Sequence, residues 1–73
     1  MKYTEADLDN HINYFFDEQI NCPTLPNVCV MLNNQSGRKR IFDRVKHLVF
    51  MEGMEDIEAC LTLIETEFDE IEN

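Results

Sequence analysis

Six apolar residues near the end of the chain, Met54, Ile57, Leu61, Ile64, Phe68 and Ile71, are separated by alternating steps of three and four. That spacing is the a/d seam of a heptad pattern. It is incompatible with a half-buried strand, whose apolar positions recur every second residue. Cys60 widens the seam. The stretch from Met54 to Ile71 is therefore expected to be an amphipathic helix, and its apolar stripe needs a partner surface. Residues 51–73 carry nine carboxylates and no lysine or arginine. Glu55, Glu58, Glu65, Asp69 and Glu72 share one stripe, with Asp56, Glu67 and Glu70 on its flanks. At 1.5 Å rise per residue the stripe is roughly 25 Å long.

The rest of the chain supplies candidate partners for the seam. Thr4 is placed to cap a first helix, with Asp7 three residues on. Tyr3 and Leu8 occupy the positions of a hydrophobic staple. Leu8, Ile12, Phe15 and Phe16 form the apolar face of this helix, which is expected to run to about Gln19. Asn21-Cys22-Pro23 ends it, because the residue before a proline avoids the helical region. Residues 38–52 read as a further helix with an apolar stripe of Ile41, Phe42, Val45, Leu48, Val49 and Met51. Gly53 is expected to break it.

Residues 24–37 admit two readings. In one, Pro26 opens a short helix that ends near Asn34, with Gly37 beyond it. In the other, residues 28–32 are a strand, 33–37 a hairpin loop and 38–42 the returning strand. The helical reading is preferred because helices flank the stretch on both sides. The expected fold is thus a single all-α domain over residues 1–73, with three long helices and a short central element. The alternative is an α+β fold with a β-hairpin at about 28–42.

A chain of 73 residues buries only about 60% of its extended surface, so its core is small. Tyr14, Phe50, Met51 and Leu63 fall off the main apolar stripes. Some of them are expected to be exposed or to meet another chain, and a homodimer is expected, through the heptad seam or another face.

Charge is sorted along the sequence. Residues 1–20 hold five acids and one base, residues 21–50 hold one acid and five bases, and residues 51–73 hold only acids. The net charge is −9. Such a chain is repelled by phosphate and by anionic membranes, so neither is an expected ligand. The central bases Arg38, Lys39, Arg40, Arg44 and Lys46 read as internal neutralisation for the acidic helices. A helix surface kept only for solubility intersperses Lys with Glu, because like charges four apart are destabilising. The last helix accepts several such pairs.

Catalysis and metal binding find little footing. His11 and His47 have no nucleophile beside them in a recognisable context, and the two glycines form no phosphate-cradling loop. Cys22, Cys29 and Cys60 lack the close ligand pairs of structural zinc sites. No enzyme activity, cofactor or metal is expected. The absence of a C-x-x-C pair or a secreted-scaffold spacing, and of a signal-like or membrane-spanning run, makes the cytoplasm the expected location.

Carboxylates at helical spacing lie roughly 5–6 Å apart, while duplex DNA carries one charge per about 1.7 Å of axis. A row of carboxylates thus approximates the phosphates of one strand. In length, composition and charge layout, though in no sequence motif, the chain resembles the small acidic DNA-mimicking inhibitors of bacteriophages. The resemblance implies a non-enzymatic inhibitor that occludes the nucleic-acid-binding groove of a host protein. Compatible targets are a nuclease, nucleoid protein, polymerase subunit, sliding clamp or repair enzyme, met in the host cytoplasm. The expected contact residues are Glu55, Glu58, Glu65, Glu67, Asp69, Glu70 and Glu72. Asp7, Asp9, Asp17 and Glu18 form a second cluster, with Tyr14 as an aromatic anchor. The alternative is a small helical adaptor or chaperone-like protein that binds a partner through apolar contacts and uses its charge for solubility.

Overall fold

The computed structural model describes the backbone of residues 4–72 and the side chains of residues 4–68. Four helices follow one another: α1 (Glu5–Asn21), α2 (Pro26–Leu32), α3 (Gln35–Phe50) and α4 (Ile57–Glu72). Among the described residues there is no strand. The fold is mainly α-helical; in the stretch with the hairpin alternative, residues 28–32 and 35–42 are helical and 33–34 form the turn between α2 and α3.

Each helix starts where local chemistry satisfies its first N–H groups. Thr4 Oγ1 accepts from the Asp7 amide at 3.2 Å, as the sequence predicts. The position of Tyr3 in its staple lies outside the described residues. α2 starts at Pro26, whose missing N–H and fixed φ suit a first helical position. α3 begins three residues earlier than expected, because Asn34 Oδ1 accepts from Ser36 and Gly37 amides at 2.9 and 3.3 Å. Gly37 therefore sits in the first turn of α3 and does not mark the end of α2. α3 stops at Phe50, and Gly53 takes φ +74° in the turn that follows. The Met54 amide closes back on the Leu48 carbonyl at 3.0 Å across this turn. α4 starts later than its apolar spacing suggests: Asp56 Oδ1 accepts from the Glu58 and Ala59 amides, and Met54 stays in the connection.

One core joins all four helices. Leu8, Ile12 and Phe16 come from α1, Val28 and Leu32 from α2, Ile41, Val45, Leu48 and Val49 from α3, and Ile57, Cys60, Leu61 and Ile64 from α4. Burying each large side chain contributes about 1.5–3 kcal/mol relative to exposure. Short α2 contacts all three long helices. The α4 seam is consumed inside the chain: Ile57, Cys60, Leu61 and Ile64 are buried, and Met54 and Phe68 pack against the same cluster. The last seam position, Ile71, lies outside the residues whose side chains are described. Met51 is not part of the α3 stripe; it is 72% exposed beyond the helix end. Phe50 is half-buried on the core, whereas Tyr14 and Leu63 are exposed.

Candidate partner-binding face

The acids of α4 divide into two sets. Glu65 is turned towards α2, where its Oε2 accepts from the Asn27 amide at 3.1 Å and its Oε1 from the Val28 amide at 2.9 Å. Leu25, the residue before α2, has no side-chain oxygen to offer these N–H groups. Glu65 supplies the cap from another helix, and its charge also suits the positive end of the α2 dipole. Glu67 is turned towards α3. Arg44 donates from Nη2 to Oε2 at 2.6 Å and from Nε to Oε1 at 3.2 Å. This fork raises the Arg44 pKa and holds the Glu67 carboxyl below its ordinary value, with the hydrogen bond as the main cause in each. Asp56 caps α4 itself. Glu55 and Glu58 are exposed near the start of α4. The side chains of Asp69, Glu70 and Glu72 lie outside the described residues.

The second acidic cluster, on α1, divides similarly. Asp9 is half-buried, and Lys46 Nζ reaches its Oδ1 at 3.5 Å and Glu5 Oε1 at 3.0 Å. Asp7, Asp17 and Glu18 are exposed. Tyr14 is 59% exposed, and the neighbouring Glu18 carboxylate, as hydrogen-bond acceptor and as charge, raises its phenol pKa.

The basic residues of α3 are largely used within the domain. Arg44 and Lys46 bridge to α4 and α1 as above, and Lys39 pairs with Asp43 one turn away. The Arg38 guanidinium lies 5.0 Å from the Phe16 ring centroid, and that of Arg40 lies 5.6 Å from that of Phe68. Among the described residues, no lysine or arginine is within ion-pair distance of Asp17, Glu18 or Glu58. Of these three, Glu18 and Glu58 come together where the end of α1 meets the start of α4.

A groove of about 460 Å³ opens at this meeting point. Phe15 and Leu25 give it apolar surface, the buried Leu61 lies beneath, and Glu18 and Glu58 stand among its polar lining. Sequence reasoning selected both acids but placed them in separate clusters, since nothing in helical periodicity says that the end of α1 abuts the start of α4. It did not find Gln19, which fixes the connecting loop. Gln19 Oε1 accepts from the Thr24 and Leu25 amides at 3.1 Å each, and its Nε2 donates to Thr24 Oγ1 at 2.8 Å.

Comparison with protein-family models, curated protein sequences and solved structures finds no match to this chain. Among the described residues no three His, Cys, Asp or Glu side chains converge as metal ligands, and no helix is long and apolar enough to cross a membrane.

Proposed function

We propose that this protein is a non-enzymatic regulator that docks its anionic face on a basic nucleic-acid-binding surface of another protein and excludes the nucleic acid from it. One observation carries the reading. The cations of α3 are spent on internal contacts, while Asp17, Glu18 and Glu58 keep their charge without a lysine or arginine partner. A net charge of −9 on 73 residues steers encounter with a basic partner and repels nucleic acid itself.

On this reading the described contact acids lie on two helices and not in one row along α4. Glu65 and Glu67 serve α2 and α3, so the docking acids in this reading are Asp17 and Glu18 of α1 with Glu58 of α4. Asp7 lies further back on α1. Tyr14, exposed on α1 beside Glu18, is the aromatic anchor. A nuclease, nucleoid protein, polymerase subunit, sliding clamp or repair enzyme would present a suitable surface.

A second reading draws on different residues. Val30 and Met51 are 71% and 72% exposed, as an adaptor that binds through apolar contacts would require. The two readings separate in one experiment. The tagged protein is incubated with nuclease-treated bacterial lysate at low salt, and the bound fraction is eluted first with duplex DNA and then with high salt. The regulator's partners leave with DNA and are themselves nucleic-acid-binding proteins. Partners that resist both elutions favour the adaptor.

A further inference from the structure

The groove between the end of α1 and the start of α4 has a composition that selects its occupant. Its one aromatic side chain is Phe15, its carboxylates are Glu18 and Glu58, and Leu25 and Cys22 add apolar surface over the buried Leu61. Its volume, about 460 Å³, lies within the roughly 300–1,000 Å³ typical of ligand clefts. It is also held in shape, because the three Gln19 hydrogen bonds fix the 24–25 loop. A pre-formed groove loses little conformational freedom on binding.

We infer that this groove receives an arginine side chain, flanked by apolar residues, from a segment of the partner protein. The inference rests on the reading that the anionic face meets a basic protein, and it names the point of attachment. Both carboxylates lack a lysine or arginine at ion-pair distance among the described residues, so the charge missing from the groove is positive. Guanidinium fits better than ammonium. Its planar fork bonds a carboxylate with two parallel N–H groups, and its flat face stacks on an aromatic ring. The chain already treats its own arginines this way: Arg44 forks onto Glu67, and Arg38 lies over Phe16. The apolar lining accounts for the flanking residues, which cover Leu25 and the Cys22 side chain.

The test is a titration of ¹⁵N-labelled protein with acetyl-Leu-Arg-Leu-amide, and with the same peptide carrying lysine or citrulline in place of arginine. The arginine peptide should shift the amides of Gln19, Thr24, Leu61 and Thr62, bind more tightly than the lysine peptide, and lose its binding when citrulline removes the charge. E18Q/E58Q should bind the arginine peptide about tenfold more weakly, the scale of two exposed charge-assisted contacts. D43N/E52Q, which removes the same net charge at two exposed positions outside the groove, should bind like the parent. An unchanged circular dichroism spectrum and melting temperature confirm that each variant is folded. Equal losses in the two double variants, or equal response to arginine and citrulline peptides, overturn the inference. So do groove shifts that grow with protein concentration alone, which identify a second copy as the occupant. A failed peptide titration alongside DNA-releasable capture leaves the regulator reading standing with diffuse charge as its basis. A successful titration without such capture places the arginine segment on some other kind of protein.

Discussion

Gly37, in the first turn of α3, lies directly against the backbone of Met31 in α2. A Cβ at position 37 would stand 3.0 Å from Met31 Cα and nearer still to its carbonyl oxygen. Glycine thus sets how closely the two helices approach. At an exposed helical site, replacing Gly with Ala stabilises by roughly 1 kcal/mol. Here the sign reverses, because the obstructing atoms are backbone and cannot rotate away. Gly37→Ala should destabilise by about 2 kcal/mol, within the usual range for overpacking. Urea denaturation measures it, and a variant as stable as the parent would show that the two backbones are not in contact.

Glu65 ties α4 to the start of α2, where it accepts from the Asn27 and Val28 amides. Glu65→Ala leaves both N–H groups without their acceptor at a half-buried site. The expected cost is about 2 kcal/mol, the scale of hydrogen bonds to a charged group. Glu65→Gln keeps one acceptor oxygen and should lose less. Hydrogen exchange of the Asn27 and Val28 amides gives the local readout: both should exchange faster in Glu65→Ala, while the amides of α1 change only with global stability. Uniform acceleration across all four helices would remove the capping role.

The contrast between these residues shows which features are written in the sequence. The existence of α1 and α4 follows from apolar spacing, and Thr4 and Pro23 mark the two ends of α1. The α2–α3 boundary is less visible, because Gly37 reads as a helix terminator until Met31 is known to press on it. Asn34, with its side-chain oxygen two and three residues before the capped amides, was the available sign of the α3 start. Glu65 and Glu67 look like surface acids because helical periodicity gives a face but not the neighbour on that face. One clue was present for Glu65. Leu25 precedes Pro26 and cannot cap, so the free amides of α2 had to find an acceptor from elsewhere. For the groove, Glu18 and Glu58 were chosen on charge, but their meeting depends on tertiary packing, to which Gln19 contributes only after the loop is folded.

The thiols should separate by burial. Cys22 is exposed, Cys29 is half-buried and Cys60 is buried. Desolvation is the main cause that raises the Cys60 pKa, with the Asp56 charge adding to it, so little reactive thiolate forms there near neutral pH. In native protein, Ellman's reagent should modify Cys22 first and Cys29 more slowly. Cys60 should respond only as the chain unfolds, and the full set of three thiols should appear in guanidinium. Rapid modification of Cys60 under native conditions would mean that the α4 seam opens readily.

The Arg44–Glu67 fork gives a pH dependence whose direction is fixed. The Glu67 carboxyl is held below its ordinary value, chiefly by the hydrogen bond from Arg44. A carboxyl depressed on folding contributes stability that is complete above its unfolded value of about 4.3, and that contribution is lost as pH falls through the lower folded value. Both side chains are about one-third exposed, at 35% and 34%, so solvent screening limits the pair to about 0.5–1 kcal/mol. Glu67→Gln should therefore lie below the parent by that amount at pH 6, and the two stability curves should converge as pH drops towards 2. Arg44→Met should show the same convergence, because it removes the group that lowers the Glu67 value. The measurement is urea denaturation at intervals of half a pH unit. A gap between parent and variant that stays constant into strong acid would mean that the difference arises from packing and not from the ionised pair.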